Sequence, residues 1–498
     1  MVTLFLACAA STGADSHGRD TSDHAQDNLL ASPPLASTDV VIIGGGASGL
    51  AAGRTALDAG ATVIIIERES ALGGSALYAG SYFAVGTPWQ AEAGYTDSVE
   101  LALQEWATLT NGGDPSHPWV ENFLQDSADN LEWMTTFGGD FACSNEIMGP
   151  SSVPRTHNLQ PIGPHPFTTL IEQLHTSAWT ETTAKSLLIE AGAVVGVVVE
   201  DAEGTQGWIA AQATVVATGG FARSDRWVYE ALPALKGLPR HVGAWHNADG
   251  NGLDIIEAAG GRLENMDNIA IYGHSTTDAL LGAPETQLVL GIEEGVVVDQ
   301  TGQRVMNEDG LRGVWGGREA LQHGQLYALY DETIWSRLKI SGYGYNYMPV
   351  SDGSMSSAEF AKQSELPQAM TFQELGAAVG IDGAALLQTV ADFNTMVDSG
   401  DDDDFGRDMG TADALRDAPF YALPIAAATG KSFGGAALAT DGAVLDRDSQ
   451  RIEGLFAAGE VAGILGGEHI GMGISGSIAA IVYTGRVAGE SAARYAGH

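Results

Sequence analysis

Cysteine and lysine are the scarcest features of this 498-residue chain: two Cys, at positions 8 and 143, and five Lys among 23 basic residues. Two cysteines cannot build a disulfide scaffold or a four-cysteine zinc site, and no CxxCH haem-attachment motif is present. Uninterrupted apolar runs of ~18 residues are missing as well, which excludes a membrane-spanning helix by hydropathy. The shortage of bases stands against 63 Asp and Glu, for a formal net charge of −40. Such a surface repels a polyanion and argues against nucleic acid as a partner. Few Lys with many acids marks a strongly solvated or salt-adapted surface and carries no information about chemistry. What the chain does have is 44 % hydrophobic residues and 65 Gly, enough for two or three domains with large cores.

The first residues stand apart. MVTLFLACAAS is a short apolar stretch leading to Cys8, and the polar, Ser- and Asp-rich segment after it reads as a disordered linker, so 1–38 is taken as a leader. The stub resembles the end of a bacterial lipoprotein signal with Cys8 as the lipid-bearing residue. No Lys or Arg precedes it, and it is shorter than the usual ~7–15 residue signal core. Export or lipid anchoring and a cytoplasmic location both stay open. Cys143 is expected to be a buried, inert thiol.

A nucleotide site is written in the first ordered stretch. Val40 to Ile43 form a continuous apolar run, the mark of a parallel strand covered on both faces. Gly44-Gly45-Gly46-Ala47-Ser48-Gly49 follows, then a helix over Leu50–Gly60 and a second strand, Thr62–Ile66. That strand ends in Glu67, eighteen residues past Gly49. Gly44 permits the turn, Gly46 lets the backbone approach a pyrophosphate, and Gly49 lets helix and strand pack closely. The helix N-terminus offers free N–H groups and partial positive charge to the phosphates, and Glu67 can accept from ribose hydroxyls. The remaining Gly-rich segments select FAD. ALGGSALYAGSYFAVGT (71–87) can lie against a flavin, ATVVATGGF (213–221) is a buried strand ending in a tight turn, and GLFAAGEVAG (454–463) leads to Glu460. The segment after Glu460 is a Gly-rich turn opening a helix toward the flavin carbonyls.

Taken with DGNGLDIIEAAGG and GQRVMNED, these segments resemble, in the same order from about Asp39 to Arg494, the fumarate reductase/succinate dehydrogenase flavoprotein family, which includes urocanate reductases and 3-ketosteroid dehydrogenases. The resemblance implies an α/β fold, with a Rossmann-like FAD-binding domain (39–264 and 429–498) interrupted by an α+β capping domain (265–428). The implied cofactor contacts are Gly44, Gly46, Ala47, Ser48, Gly49, Glu67, Arg68, Gly74, Ser75, Gly80, Ser81, Thr218, Gly219, Asp249, Gly459, Glu460, Ser475 and Ile478. Membrane-bound members link FAD covalently through a His. The matching position here is Gly74 or its neighbours, so the FAD is expected to be non-covalent.

The same resemblance supplies catalytic candidates. Arg312, four residues past Glu308 in RVMNEDGLR, occupies the slot of the family's proton donor, with Glu308 pairing inside the motif. His274 in NIAIYGHST stands where a His meets a substrate carboxylate, and Tyr272 beside it can orient a carbonyl. Double-bond reduction then needs hydride from flavin N5 to one carbon, a proton to the other, and a polarised carbonyl. Three family segments depart. The TEAVRG relay is replaced by PETQLVLG, and HHTMGG by Thr429-Gly430-Lys431-Ser432-Phe433-Gly434-Gly435, making Lys431 a carboxylate-anchor candidate. Gly471-Met472-Gly473 replaces the clamp Arg, with His469 as the nearest polar group. A dicarboxylate without its clamp would leave a desolvated charge at a cost of several kcal/mol, which tells against fumarate itself.

The expected function is an FAD-dependent oxidoreductase that reduces or forms a C=C bond beside a carbonyl or carboxylate, exchanging electrons with an external carrier. Two alternatives stay open: a 3-ketosteroid-dehydrogenase-like enzyme, kept by Tyr82, Tyr272 and the Tyr343, Tyr345, Tyr347 run but opposed by Arg312, and a flavin-retaining protein without this turnover. His157 and His165 are read as local structure, and Asp401–Asp404 as a solvated acidic turn.

Overall fold

The computed structural model describes residues 29–110, 112–144, 151–160, 165–236, 247–275, 288–290, 292–309, 321–341, 356–463, 465 and 477–498. The elements that build the site are, in chain order, β1 (Ala36–Ile43), α1 (Ala47–Asp58), β2 (Val63–Ile66), α2 (Pro118–Thr135), β3 (Gln206–Val216), β4 (Ile269–Ser275), β5 (Phe420–Ser432), β6 (Arg451–Ala457) and α3 (Ile478–Tyr495).

An eight-stranded sheet is centred on β1, with β2 on one side and β3 on the other. Both pairings are parallel, Val40 opposite Val63 and Ile43 opposite Val216. Val40, Val41, Ile42 and Ile43 are all buried, as a strand covered on both faces requires. The C-terminal strand β6 returns to this sheet and pairs in parallel with β3, placing Leu455 opposite Thr214. Helix α1 starts at Ala47, earlier than the apolar pattern suggests, because Gly46 in an extended conformation caps it directly after the turn.

Residues 29–38, read from the sequence as part of a disordered leader, are structured, and strand β1 already starts at Ala36. Leu29 and Leu30 pack on Leu188, Val198 and Trp208. Trp208 Nε1 donates to Ser32 O at 3.1 Å, and Leu35 N–H donates to Trp208 O at 2.8 Å. Two adjacent leucines, with the hydrogen bonds to Trp208, are enough to seat this segment on an apolar sheet face.

A second, five-stranded antiparallel sheet is built around β5, which pairs with β4 and with Leu326–Tyr330. Its pairing with β4 carries an irregularity: Ala270 faces Lys431, whereas Ile271 already faces Thr429. A three-stranded sheet joins Ser81–Phe83 to Thr156–Leu159 and Phe141–Cys143. Beneath it, Arg155 grips Asp97 through Nε and Nη2, both at 2.8 Å, and Glu105 at 2.6 Å. His157, fully buried, sits 2.7 Å from Thr87 Oγ1, and burial pushes its imidazole down. His165 Nε2 lies 3.0 Å from Ala79 O. Cys143 is half-buried, not sealed in the core, and burial pushes its thiol up. Among the described residues no helix is long and apolar enough to cross a membrane.

Candidate active site

The turn from β1 into α1 is shaped by two contacts that only glycine allows. Gly44 has φ +108°, and a Cβ there would lie 2.4 Å from Ala217 O on the neighbouring strand end. A Cβ on Gly49 would lie 1.8 Å from Gly44 O, so the helix is pressed onto its own entry turn. At Gly46, by contrast, a Cβ would meet nothing within 4 Å. That free space opens into a cleft of about 430 Å³.

Lining the cleft are Gly44, Gly46, Ala47, Ser48, Glu67, Arg68, Gly74, Ser75, Thr218, Gly219, Asp249, Glu460 and Ile478. Thirteen of the eighteen cofactor contacts expected from the sequence thus share one wall. Gly49 supports that wall from behind. Gly80, Ser81 and Gly459 do not line it, and Ser475 lies outside the described residues. The sequence reading missed Ser70, Leu72, Leu77, Thr182, Thr183, Asn247, Asn251 and Ile481. Asn251 lies inside the DGNG segment with the Asp249 already singled out, so that segment held its signal; Asn247, two residues before Asp249, lies outside it.

Glu67 is locked at the tip of β2. Its Oε2 accepts from Gly45 N–H at 2.8 Å and its Oε1 from Glu69 N–H at 2.9 Å. A carboxylate offers about four acceptor positions, so capacity remains for a diol. Arg68 reaches Asp249 at 2.6 Å and Asn247 O at 2.6 Å, while Asn247 Nδ2 donates to Glu69 Oε1 at 2.6 Å. These bonds fasten the 247–249 loop across the β2 end of the cleft. Helix α3 begins at Ile478, and Ile478 and Ile481 of its first turn line the cleft, at the helix end that carries free N–H groups. Asn130 of α2 holds that turn, donating to Ala479 O at 3.0 Å. The glycine cradle, helix start and fixed acid suit a dinucleotide such as FAD: a pyrophosphate over Gly46 and Ala47, a ribose at Glu67.

Glu308 lies outside this cleft, fully buried in an ionic lattice. Arg304 donates to it from Nε at 3.0 Å and Nη2 at 2.8 Å, Arg407 Nη1 at 3.2 Å, and Val297 N–H at 3.0 Å. Arg304 also pairs with Asp402 at 2.8 Å. The solvated turn expected at Asp401–Asp404 holds for Asp401, Asp403 and Asp404, which are exposed, but not for Asp402, which is buried because Arg304 and the N–H groups of Asp404, Phe405 and Arg407 replace its water. Among the described residues no cluster of metal-binding side chains occurs.

Strand β4 carries Tyr272 and His274 opposite Ala428 and Ala426 of β5. Their side chains, together with Arg312, His469 and the Tyr343–Tyr347 run, lie outside the described residues. Lys431 is described: it stands near the end of β5, with its amine pushed down by desolvation and pulled back by Glu460. Glu460 is pushed up by its own desolvation, against the opposing pull of Lys431 and the Gly220 N–H.

Residues 39–475 match the family described as FAD binding domain. The chain is 33 % identical over 485 residues to "Fumarate reductase (cytochrome)" from Shewanella frigidimarina, covering 94 % of this chain and 79 % of that protein. It is 28 % identical over 509 residues to urocanate reductase from Eggerthella lenta, covering 98 % of this chain and 80 % of the relative. Among solved structures, the open conformation of a flavocytochrome c3 fumarate reductase superposes with a TM-score of 0.72 at 25 % identity, covering 97 % of this chain and 82 % of the other.

Proposed function

Since the chain belongs to the FAD-binding flavoprotein family of fumarate reductases and their relatives, and is an FAD-dependent oxidoreductase, we propose that it reduces or forms a carbon–carbon double bond next to a carbonyl or carboxylate. The observation that carries this reading is the joining of two parts: a glycine-cradled dinucleotide cleft, and β5, whose end is tied to the cleft's Gly219–Ala222 turn. A substrate seated beside β5 is thereby held at the edge of the cofactor site.

FAD supplies the two-electron chemistry when bound; Gly44–Gly49, Glu67 and Glu460 hold it. It is held without a covalent link, because Gly74 stands where the membrane-bound relatives resembled by this sequence carry the linking His. The chain's own residues bind and polarise the substrate carbonyl and deliver the proton. Arg312 is the proton donor, His274 and Tyr272 orient the carbonyl, and Lys431 and His469 are the anchors available to a carboxylate. Glu308 acts on Arg312 indirectly, fixing the chain four residues before it. Electrons come from an external carrier. Fumarate is a poor substrate, because Gly471-Met472-Gly473 lacks the clamp for a second carboxylate.

Steady-state reduction of an enoate panel with a reduced viologen donor tests the proton role. General acid catalysis contributes about 10²–10⁴-fold, so Arg312→Ala is expected to lose at least about 10²-fold in kcat while keeping FAD. Unchanged kcat would remove Arg312 from the mechanism.

A further inference from the structure

Helix α3 carries a cation that does not line the cleft, Arg486, and among the described residues no carboxylate forms an ion pair with it. Its half-buried guanidinium lies over the Trp133 ring, 5.0 Å from the centroid, and Nη1 donates to Asn130 Oδ1 at 3.1 Å. Asn130 and Trp133 stand three residues apart on α2, so one face of that helix receives the whole group. Burial pushes the guanidinium down, while Asp126 and Asp129 of α2 and Glu490 and Tyr483 of α3 oppose that push from a distance.

Asn130 is 1 % exposed and uses both ends of its amide: Oδ1 takes the Arg486 bond, and Nδ2 donates to Ala479 O at 3.0 Å. That carbonyl shares a planar peptide unit with the Ala480 N–H, which stands in the first turn of α3 between the cleft-lining Ile478 and Ile481. A cation at one end of an amide polarises its other end, and a donor on a peptide carbonyl polarises the N–H of the same peptide. Arg486 lies about two turns along α3, and the Arg486–Asn130–Ala479 chain brings its charge back to the helix start. That start is fixed beside the glycine cradle: a Cβ on Gly485 would lie 2.4 Å from Ser48 O, and Gly459 N–H donates to Thr484 Oγ1 at 3.0 Å. Glu67 flanks the same cradle at Gly45. A dinucleotide with its ribose at Glu67 therefore runs its other half toward α3.

We infer that Arg486 and Asn130 are positioning residues that relay positive charge to the start of α3 and so raise the reduction potential of the bound FAD. Two electrons and one proton entering the flavin leave it with one more negative charge, which a polarised helix start favours. The role depends on FAD alone, and not on which double bond the enzyme reduces or forms. An Asn130 that only pinned α2 to α3 would change stability and leave the potential where it is.

The test is the two-electron midpoint potential of the FAD-loaded enzyme, measured anaerobically against a reference dye by absorption. Arg486→Met and Asn130→Leu are each expected to lower it by about 30 mV, a tenfold change in the reduction equilibrium and the scale of one charge about two helical turns away inside a protein. The double variant should fall no further than the lower of the two singles, because the residues act in series. Phe123→Leu loosens the same α2–α3 contact, where the Phe123 and Tyr483 rings lie 5.7 Å apart; it should lower the urea midpoint and leave the potential unchanged. Should Arg486→Met or Asn130→Leu not retain FAD, Asn130→Asp takes its place: it keeps an acceptor for Arg486, offers Ala479 O no donor, and should lower the potential as well. The inference is overturned if any of these Arg486 or Asn130 variants stays within about twofold of wild type in that equilibrium (about 9 mV). It is also overturned if the double variant sums the two singles, or if Phe123→Leu lowers the potential as far as they do. Turnover of enoates plays no part in the readout, so failure of the C=C chemistry and failure of the relay are told apart.

Discussion

Glu308→Gln removes one charge from the Arg304–Glu308–Arg407–Asp402 lattice while keeping its shape. The side chains of Glu308 and Asp402 have no solvent exposure, and those of Arg304 and Arg407 have 5 % and 2 %. Glu308 receives two bonds from Arg304, one from Arg407 and one from Val297 N–H, so it faces two guanidinium groups at once. A Gln keeps one acceptor oxygen but turns an NH₂ toward donors, and the cation it leaves behind has no water to replace the lost partner. Breaking a buried pair from one side costs about 3–5 kcal/mol. A single pair at ~4 Å and an effective dielectric of ~20 gives about 4 kcal/mol, in agreement. Urea unfolding of the FAD-loaded protein, followed by tryptophan fluorescence, should show that loss. Adding Arg304→Met should cost less than the two single changes summed, since both act on one network. A loss below about 1 kcal/mol for Glu308→Gln, the range of an exposed pair, would refute the reasoning.

Two further outcomes follow from the geometry. Gly46→Ala should leave the apoprotein's unfolding midpoint unchanged but weaken FAD retention, whereas Gly49→Ala, with its Cβ 1.8 Å from Gly44 O, should cost stability even without FAD; equal stability of the two apoproteins would contradict the assignment. Burial alone would raise the Asp402 carboxyl, but Arg304 and the Arg407 and Phe405 N–H groups outweigh it and hold it at about 2. Its contribution is therefore complete above the ordinary carboxylate value near ~3.9 and lost as pH falls toward about 2. In that window the urea midpoint of wild type should fall more steeply than that of Asp402→Asn, and parallel slopes would refute the pairing.

What the sequence disclosed was what is local. The glycine turn, the strands beside it and Glu67 lie within 28 residues, and each part has a recognisable pattern of its own. The Arg68–Asp249 bond joins positions 181 apart and the Arg407–Glu308 bond positions 99 apart, and no periodicity reports such partners. Asp402 shows the same gap from the other direction. Four consecutive aspartates read as a solvated turn, and three of them are exposed, but composition sees only neighbours, while the fold delivers Arg304 to the second of them from far along the chain. Residues 29–38 looked unstructured for a related reason: their few leucines matter only once Trp208 and Leu188 supply a surface.

The most direct test of the central claim is anaerobic. The enzyme-bound FAD is photoreduced, and its absorbance is followed while crotonate, monomethyl fumarate, urocanate, neutral enones and fumarate are added one at a time, with 3-ketosteroids offered separately to the oxidised enzyme. Rapid reoxidation by an enone or mono-enoate, abolished or slowed about 10²-fold or more by Arg312→Ala, is the expected result. A reduced flavin that no unsaturated carbonyl compound reoxidises, together with an oxidised flavin that no ketosteroid bleaches, would contradict the account.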